Sequence, residues 1–137
     1  MDENIKKYSI LDKFNVSRET CIDFERFISL ILEKNQKINI ISKKTETVIR
    51  ERHIIDSAQA IDLIDLNATI CSDLGSGGGL PGIVLAIMMK NLRQQMKFNL
   101  YEKSHLKSVF LRNVSSETLN LSNIEYFLIF SSIKLYA

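Results

Sequence analysis

The chain has 137 residues, about one ordinary domain. Apolar residues make up 45%, charged residues 25%, and the formal net charge is +2, values that fit a soluble globular protein and argue against a disordered or fibrous one. No apolar stretch approaches the ~20 residues of a membrane span. The opening Met1–Lys7 lacks the basic-then-apolar order of a signal peptide, so the expected location is the cytoplasm.

Ile5, Tyr8 and Leu11 suggest a short first helix. Phe24, Phe27, Ile28, Ile31, Leu32, Asn35 and Ile38 follow one face of a longer one, with Ser17 as cap and Glu19 in the first turn. A turn is predicted around Ile40 to Lys44. Thr45 to Leu63 reads as another helix, with Val48, Ile49, Ile55, Ala58 and Ile61 as its apolar residues. The pattern then changes. Ala68 to Leu74 is short, partly β-branched and followed by glycines, as a strand entering a tight turn is. Leu80 to Asn91 predicts a helix, Met96 to Tyr101 a second strand with Phe98 and Leu100 on one face. Ser104 to Leu119 predicts a helix with Val109, Phe110 and Val114 inward, and Ile124 to Phe130 a third strand. The sum is a helical region over 1–66 and an α/β region over 67–137, one βαβαβ half of a doubly wound sheet.

Cys21 and Cys71 are too few for a disulfide framework or a zinc ribbon, and both read as buried thiols. His53 and His105 stand at no metal-binding spacing, so no metal is expected. Lys34, Lys37, Lys43, Lys44, Arg50 and Arg52 crowd one segment, offset by Glu46 and Glu51. Such a run is a solvated surface or a phosphate-facing patch.

All five glycines and the single proline fall in Gly75-Ser76-Gly77-Gly78-Gly79-Leu80-Pro81-Gly82. A glycine turn between strand and helix lets a ligand lie against main-chain atoms and face the helix amides. Glu102 lies 20 positions beyond Gly82, at the end of the second strand, where an acid holds ribose hydroxyls. Two ligand classes fit. Gly77 to Gly82 matches the dinucleotide fingerprint, which would make the chain a dinucleotide-dependent oxidoreductase. S-adenosylmethionine has an adenosine, no phosphate, and positive charge. Asp73, just before the first glycine, suits it and disfavours a pyrophosphate.

The stretch from Asp73 to Ile83 resembles the cofactor loop of the small-subunit (16S) ribosomal RNA guanine methyltransferases, also called glucose-inhibited division protein B. Its Gly-Leu-Pro-Gly ending is more particular than a general methyltransferase loop. Arg52-His53-Ile54-Ile55-Asp56-Ser57 resembles the family's Arg-His-x-x-Asp-Ser segment, and Asn35 and Asn39 its Asn-x-x-x-Asn stretch. Lys107 to Arg112 resembles its basic helix. The resemblance covers roughly residues 20 to 125. It implies a Rossmann-like class I methyltransferase fold with a helical N-terminal extension. It also implies transfer of a methyl group to a ring nitrogen of one guanine, giving 7-methylguanosine. Carried over by position, Asp73, Gly75, Gly77, Gly79, Leu80 and Glu102 would line S-adenosyl-L-methionine. Lys37, Lys43, Lys44, Arg50, Arg52 and His53 would face the RNA or the ribosomal subunit.

That guanine nitrogen has a free lone pair and no proton to lose, so placement suffices and no catalytic base is expected. From Asp73 onward 65 residues remain, enough for the first half of the sheet. The expectation is therefore a truncated or frameshifted monomer, with the second half of the sheet missing and methyltransferase activity weak or lost. A non-catalytic cofactor- or RNA-binding remnant is the alternative. The apolar tail from Ile124 to Tyr136 reads as an aggregation liability.

Overall fold

The computed structural model describes residues 2–65, 67–92 and 96–128. The expected end of the third strand at Phe130 and the tail beyond it lie outside the described residues.

The N-terminal region is built on α2 (Arg18–Lys34). The Ser17 hydroxyl accepts the Thr20 amide at 3.1 Å and so satisfies one orphan donor of the first turn. Three- and four-residue steps bring Cys21, Phe24, Phe27, Ile28 and Ile31 to one buried face. Each such apolar side chain contributes about 1.5–3 kcal/mol on burial, so this stripe, more than helix propensity, holds α2. The short α1 (Glu3–Lys7) and a 3-10 turn (Ser9–Phe14) add Tyr8 and Leu11 to the same core.

One polar cluster ties these pieces together. Glu25 accepts Arg50 at 2.7 Å, Tyr8 Oη at 3.0 Å and Lys7 at 3.2 Å. Burial alone would raise the Glu25 carboxyl, but the hydrogen bonds from Arg50, Lys7 and Tyr8 outweigh it and hold it below the usual carboxylate range. A depressed acid stabilises the fold above its unfolded pKa of about 4.3, and that contribution is lost as pH falls through the folded value. Denaturation midpoints measured from pH 7 down to pH 3 should show Glu25→Gln less stable than wild type at neutral pH. The variant should also lose less on acidification. Parallel curves would show that Glu25 does not carry the acid limb.

The single helix predicted over Thr45–Leu63 is not formed. The segment is a 3-10 turn (Lys43–Val48), a wide π-turn (Arg50–Ile55), α3 (Asp56–Ala58) and another 3-10 turn (Gln59–Leu63). The physical reason lies in the burial register. Ile49, Ile54, Ile55 and Ala58 are the buried residues, a step of five where an α-helix would step by four. The wider turn absorbs the extra residue, leaves His53 half-buried, and puts Val48 outside at 41% exposure.

The sheet is parallel, in the order β1 (Ile70–Leu74), β2 (Lys97–Glu102), β3 (Ile124–Leu128). Cys71 pairs with Phe98 and Asp73 with Leu100, so these four share a face. Phe98, Leu100 and Glu102 are buried there. The crossover helix α4 (Gly82–Leu92) is buried from Ile83 through Met89, packed between sheet and N-terminal helices. This is why its sequence is apolar all round.

Ser104 caps α5 (His105–Asn113) by accepting the Lys107 amide at 3.3 Å. Two expectations are corrected here. Val109 does not face inward. Ser108, Phe110, Leu111 and Val114 form the buried side, and Val109 falls opposite them at 39% exposure. Cys71 is half-buried rather than buried, because β1 is flanked by a strand on one side only among the described residues.

Candidate functional site

The glycine turn lies over the carboxyl ends of β1 and β2, where parallel sheets bind ligands. Its fold follows from local hydrogen bonds. The Tyr101 carbonyl accepts both the Gly75 and the Ser76 amides at 2.8 Å, folding the chain back across the end of β2. The buried Ser76 donates its hydroxyl to the Asp73 carbonyl at 3.0 Å and offers its own carbonyl to the Gly79 amide at 2.8 Å.

Two acids border the turn. Asp73 Oδ2 accepts the Gly82 amide at 3.1 Å, at the start of α4. Burial pushes the Asp73 carboxyl above its usual range, the Gly82 amide opposes this, and the charge of Glu102 adds to it. Glu102 is 6% exposed and ends β2. Its Oε1 accepts the Lys103 and Ser104 amides at 3.0 and 3.1 Å, and its Oε2 accepts the Gly77 amide. A carboxylate oxygen has two lone pairs. One position on Oε2 therefore remains free for a further donor.

The glycines divide into two groups. A side chain at Gly75 would meet nothing within 4 Å, and one at Gly77 would meet only the Gly75 carbonyl at 4.0 Å, so both border open space. Gly78, Gly79 and Gly82 instead face packed atoms, where an added Cβ would collide with Ile40 Cγ2, Ile83 Cγ1 and Leu100 Cδ2 respectively. Leu80 packs partly against the core. Of the residues expected at the ligand, Gly75 and Gly77 flank the opening, while Gly79 is buttressed from within.

The basic residues differ in exposure. Lys37, Lys43, Lys44 and Arg52 are exposed. Arg50 turns inward to Glu25, with its guanidinium over the Tyr8 ring at 5.9 Å, and so serves the fold. His53 Nε2 lies 2.7 Å from Thr45 Oγ1, and that hydroxyl also lies 2.9 Å from the Ser42 carbonyl. A carbonyl only accepts, so the one hydroxyl hydrogen goes to Ser42 and His53 must donate from Nε2. Burial, then the charge of Arg52, lowers the His53 pKa against the pull of Asp56. Neutral His53 thus presents Nδ1 as an acceptor. His105 is exposed at the start of α5.

Sequence reasoning missed what Asn35 does. It is 2% exposed, its Oδ1 accepts the Ile40 and Ile41 amides at 2.8 and 2.9 Å, and its Nδ2 donates to Glu46 at 2.5 Å. This staple sets Ile40 against Gly78 and so joins the N-terminal region to the glycine turn. The sequence signals are an Asn on the apolar face at the end of the predicted helix and its place in the Asn-x-x-x-Asn stretch, neither of which shows what the amide bonds.

A glycine turn pinned by an acid at the end of each of two parallel strands, and leaning on an Asn-stapled N-terminal loop, is a specific arrangement. The family model for rRNA small subunit methyltransferase G matches residues 20–128, which include every one of these parts. The chain belongs to that family. Its three-stranded parallel sheet and helices accordingly form part of a Rossmann-like methyltransferase fold. A ribosomal RNA small subunit methyltransferase G from Pelagibacter ubique is 57% identical over 119 residues, covering 85% of this chain and 56% of that protein. The same-named protein of Bartonella tribocorum is 45% identical over 129 residues, covering 92% of this chain and 59% of that protein. One from Cereibacter sphaeroides is 38% identical over 109 residues, covering 80% and 53%. The chain spans about half the length of these curated relatives.

Proposed function

We propose that the chain is the cofactor-binding part of an S-adenosyl-L-methionine-dependent methyltransferase acting on a guanine ring nitrogen of small-subunit ribosomal RNA, in the cytoplasm. In this reading residues 67–137 hold the cofactor and residues 1–66 face the RNA. The observation that carries it is the pair of acceptor carboxylates at the turn. Two carboxylates, Asp73 and Glu102, border an opening floored by Gly75 and Gly77, and neither carboxylate is ion-paired with a base among the described residues. Asp73, just before the first glycine, favours a cationic ligand over a pyrophosphate, and this supports S-adenosyl-L-methionine against a dinucleotide.

Bound there, S-adenosyl-L-methionine supplies an electrophilic methyl group on its sulfonium. The chain's own residues position. The free lone pair of Glu102 Oε2 accepts a ribose hydroxyl. Asp73 offers negative charge to the cationic end of the ligand. Gly75 and Gly77 admit it against the main chain, and Leu80 lies beside them. Lys37, Lys43, Lys44 and Arg52 meet RNA phosphates, while neutral His53 accepts a hydrogen bond from a base or a 2′-hydroxyl. No residue takes a proton, because the attacking nitrogen carries none.

The test is methyl transfer from radiolabelled S-adenosyl-L-methionine to unmodified small ribosomal subunits. The expected product is 7-methylguanosine. Label on any other base or atom would overturn the assignment. Cofactor binding with no label at all would establish the non-catalytic remnant instead.

A further inference from the structure

A groove runs between α2 and α5, away from the glycine turn. Its floor is apolar, formed by Leu30, Phe110 and Val114. Its rim is polar: Glu33, Lys34 and Lys37 from α2 and the turn after it, and Asn113 from the end of α5. Neither lysine is paired with a carboxylate among the described residues. Two unpaired ammonium groups against one carboxylate leave the rim positive.

We propose that this groove seats one unpaired nucleotide of an RNA strand, an inference that rests on the RNA reading above. Three features select that occupant. An apolar floor covers the face of a base. The Asn113 amide carries both a donor and an acceptor, suited to a base edge. Lys34 and Lys37 supply the charge that a phosphate needs.

The groove is also placed to work with the cofactor turn. Phe110 and Asn113 on α5, and Val114 that caps it, lie about 8 to 13 Å along the axis from the helix start that follows Glu102, at ~1.5 Å per residue. Exposed Val109 and Leu106 lie one and two turns before Asn113, on its side of α5. On the other wall, Lys37 belongs to the turn that Asn35 staples and that ends with Ile40 on Gly78. A strand held in the groove would therefore be led towards the glycine turn.

The experiment uses the full chain and a labelled eight-nucleotide single-stranded RNA, with affinity read by fluorescence anisotropy across a salt series. Lys34→Gln/Lys37→Gln should weaken binding about tenfold and flatten the slope of log K against log salt by about 1.4, at ~0.7 for each phosphate no longer neutralised. Asn113→Phe, which fills the groove without changing charge, should weaken binding and leave the slope unchanged. In wild type, RNA carrying 4-thiouridine should photo-crosslink within residues 30–37 or 106–114, a readout that needs no variant to fold. Wild type that binds RNA while Asn113→Phe binds equally well, or crosslinks only elsewhere, would overturn the groove and leave the RNA reading standing. A protein segment as the true occupant would give that same result. Wild type that binds no RNA would overturn both.

Discussion

Glu102→Ala is expected to reduce S-adenosyl-L-methionine affinity at least a hundredfold and to destabilise the chain by about 3 kcal/mol. Both effects come from one carboxylate. It is buried and accepts three main-chain amides, from Gly77, Lys103 and Ser104. Hydrogen bonds to a charged group contribute about 1.5–3 kcal/mol, and a buried donor left without a partner costs about 1–3 kcal/mol. Alanine removes every acceptor at once. The Gly77 amide then loses what holds it over β2, so the turn loosens as the ribose contact disappears. Glu102→Gln separates the two losses. It keeps the volume and one acceptor oxygen, so it should fold with a smaller deficit yet bind the cofactor about ten- to a hundredfold more weakly. Calorimetric titration together with urea denaturation of both variants measures each effect. Unchanged affinity in Glu102→Gln would remove Glu102 from the ligand site and leave it as the anchor of the turn.

Gly79→Val is expected to cost about 3 kcal/mol or more, whereas Gly77→Ala should cost about 1 kcal/mol and act mainly on cofactor affinity. Both glycines have left-handed backbones, with φ of +91° and +54°. That conformation alone costs a side chain about 1–2 kcal/mol. The difference lies in what the side chain meets. At Gly79 it drives into Ile83 and, at 3.2 Å, Leu111, and a β-branched residue makes this worse. At Gly77 it enters open space, which is the space assigned to the ligand. Denaturation midpoints should therefore rank the two one way and cofactor affinities should show Gly77→Ala as the ligand-specific lesion. Equal loss of stability would show that the turn is not divided into a packed and an open half.

The parts of the fold written in local pattern were legible in the sequence. Ser17 and Ser104 were identifiable as caps from their places before apolar runs, and Phe98 and Leu100 as one face from alternation. The strand–glycine–helix junction was legible because all five glycines and the proline fall together between a strand pattern and a helix pattern. What escaped depends on packing between distant segments. Nothing local shows that Arg50 meets Glu25 rather than solvent, or that Ile40 fills the space over Gly78. The break in the segment from Lys43 to Leu63 has the same origin. Its apolar residues fit a helix on paper, but burying Ile49 and Ile54 together requires the wider turn. For the site, the two acids were legible by position. Their division of labour, with most of Glu102 engaged by the turn itself, required the geometry.

The most direct measurement is calorimetric titration of the folded chain with S-adenosyl-L-methionine and, in parallel, with NAD. One equivalent of S-adenosyl-L-methionine should bind, with Glu102→Gln weakening it, and NAD should give no heat of binding. Binding of NAD, or no binding of S-adenosyl-L-methionine by a chain shown to be folded, would contradict the assignment of the glycine turn.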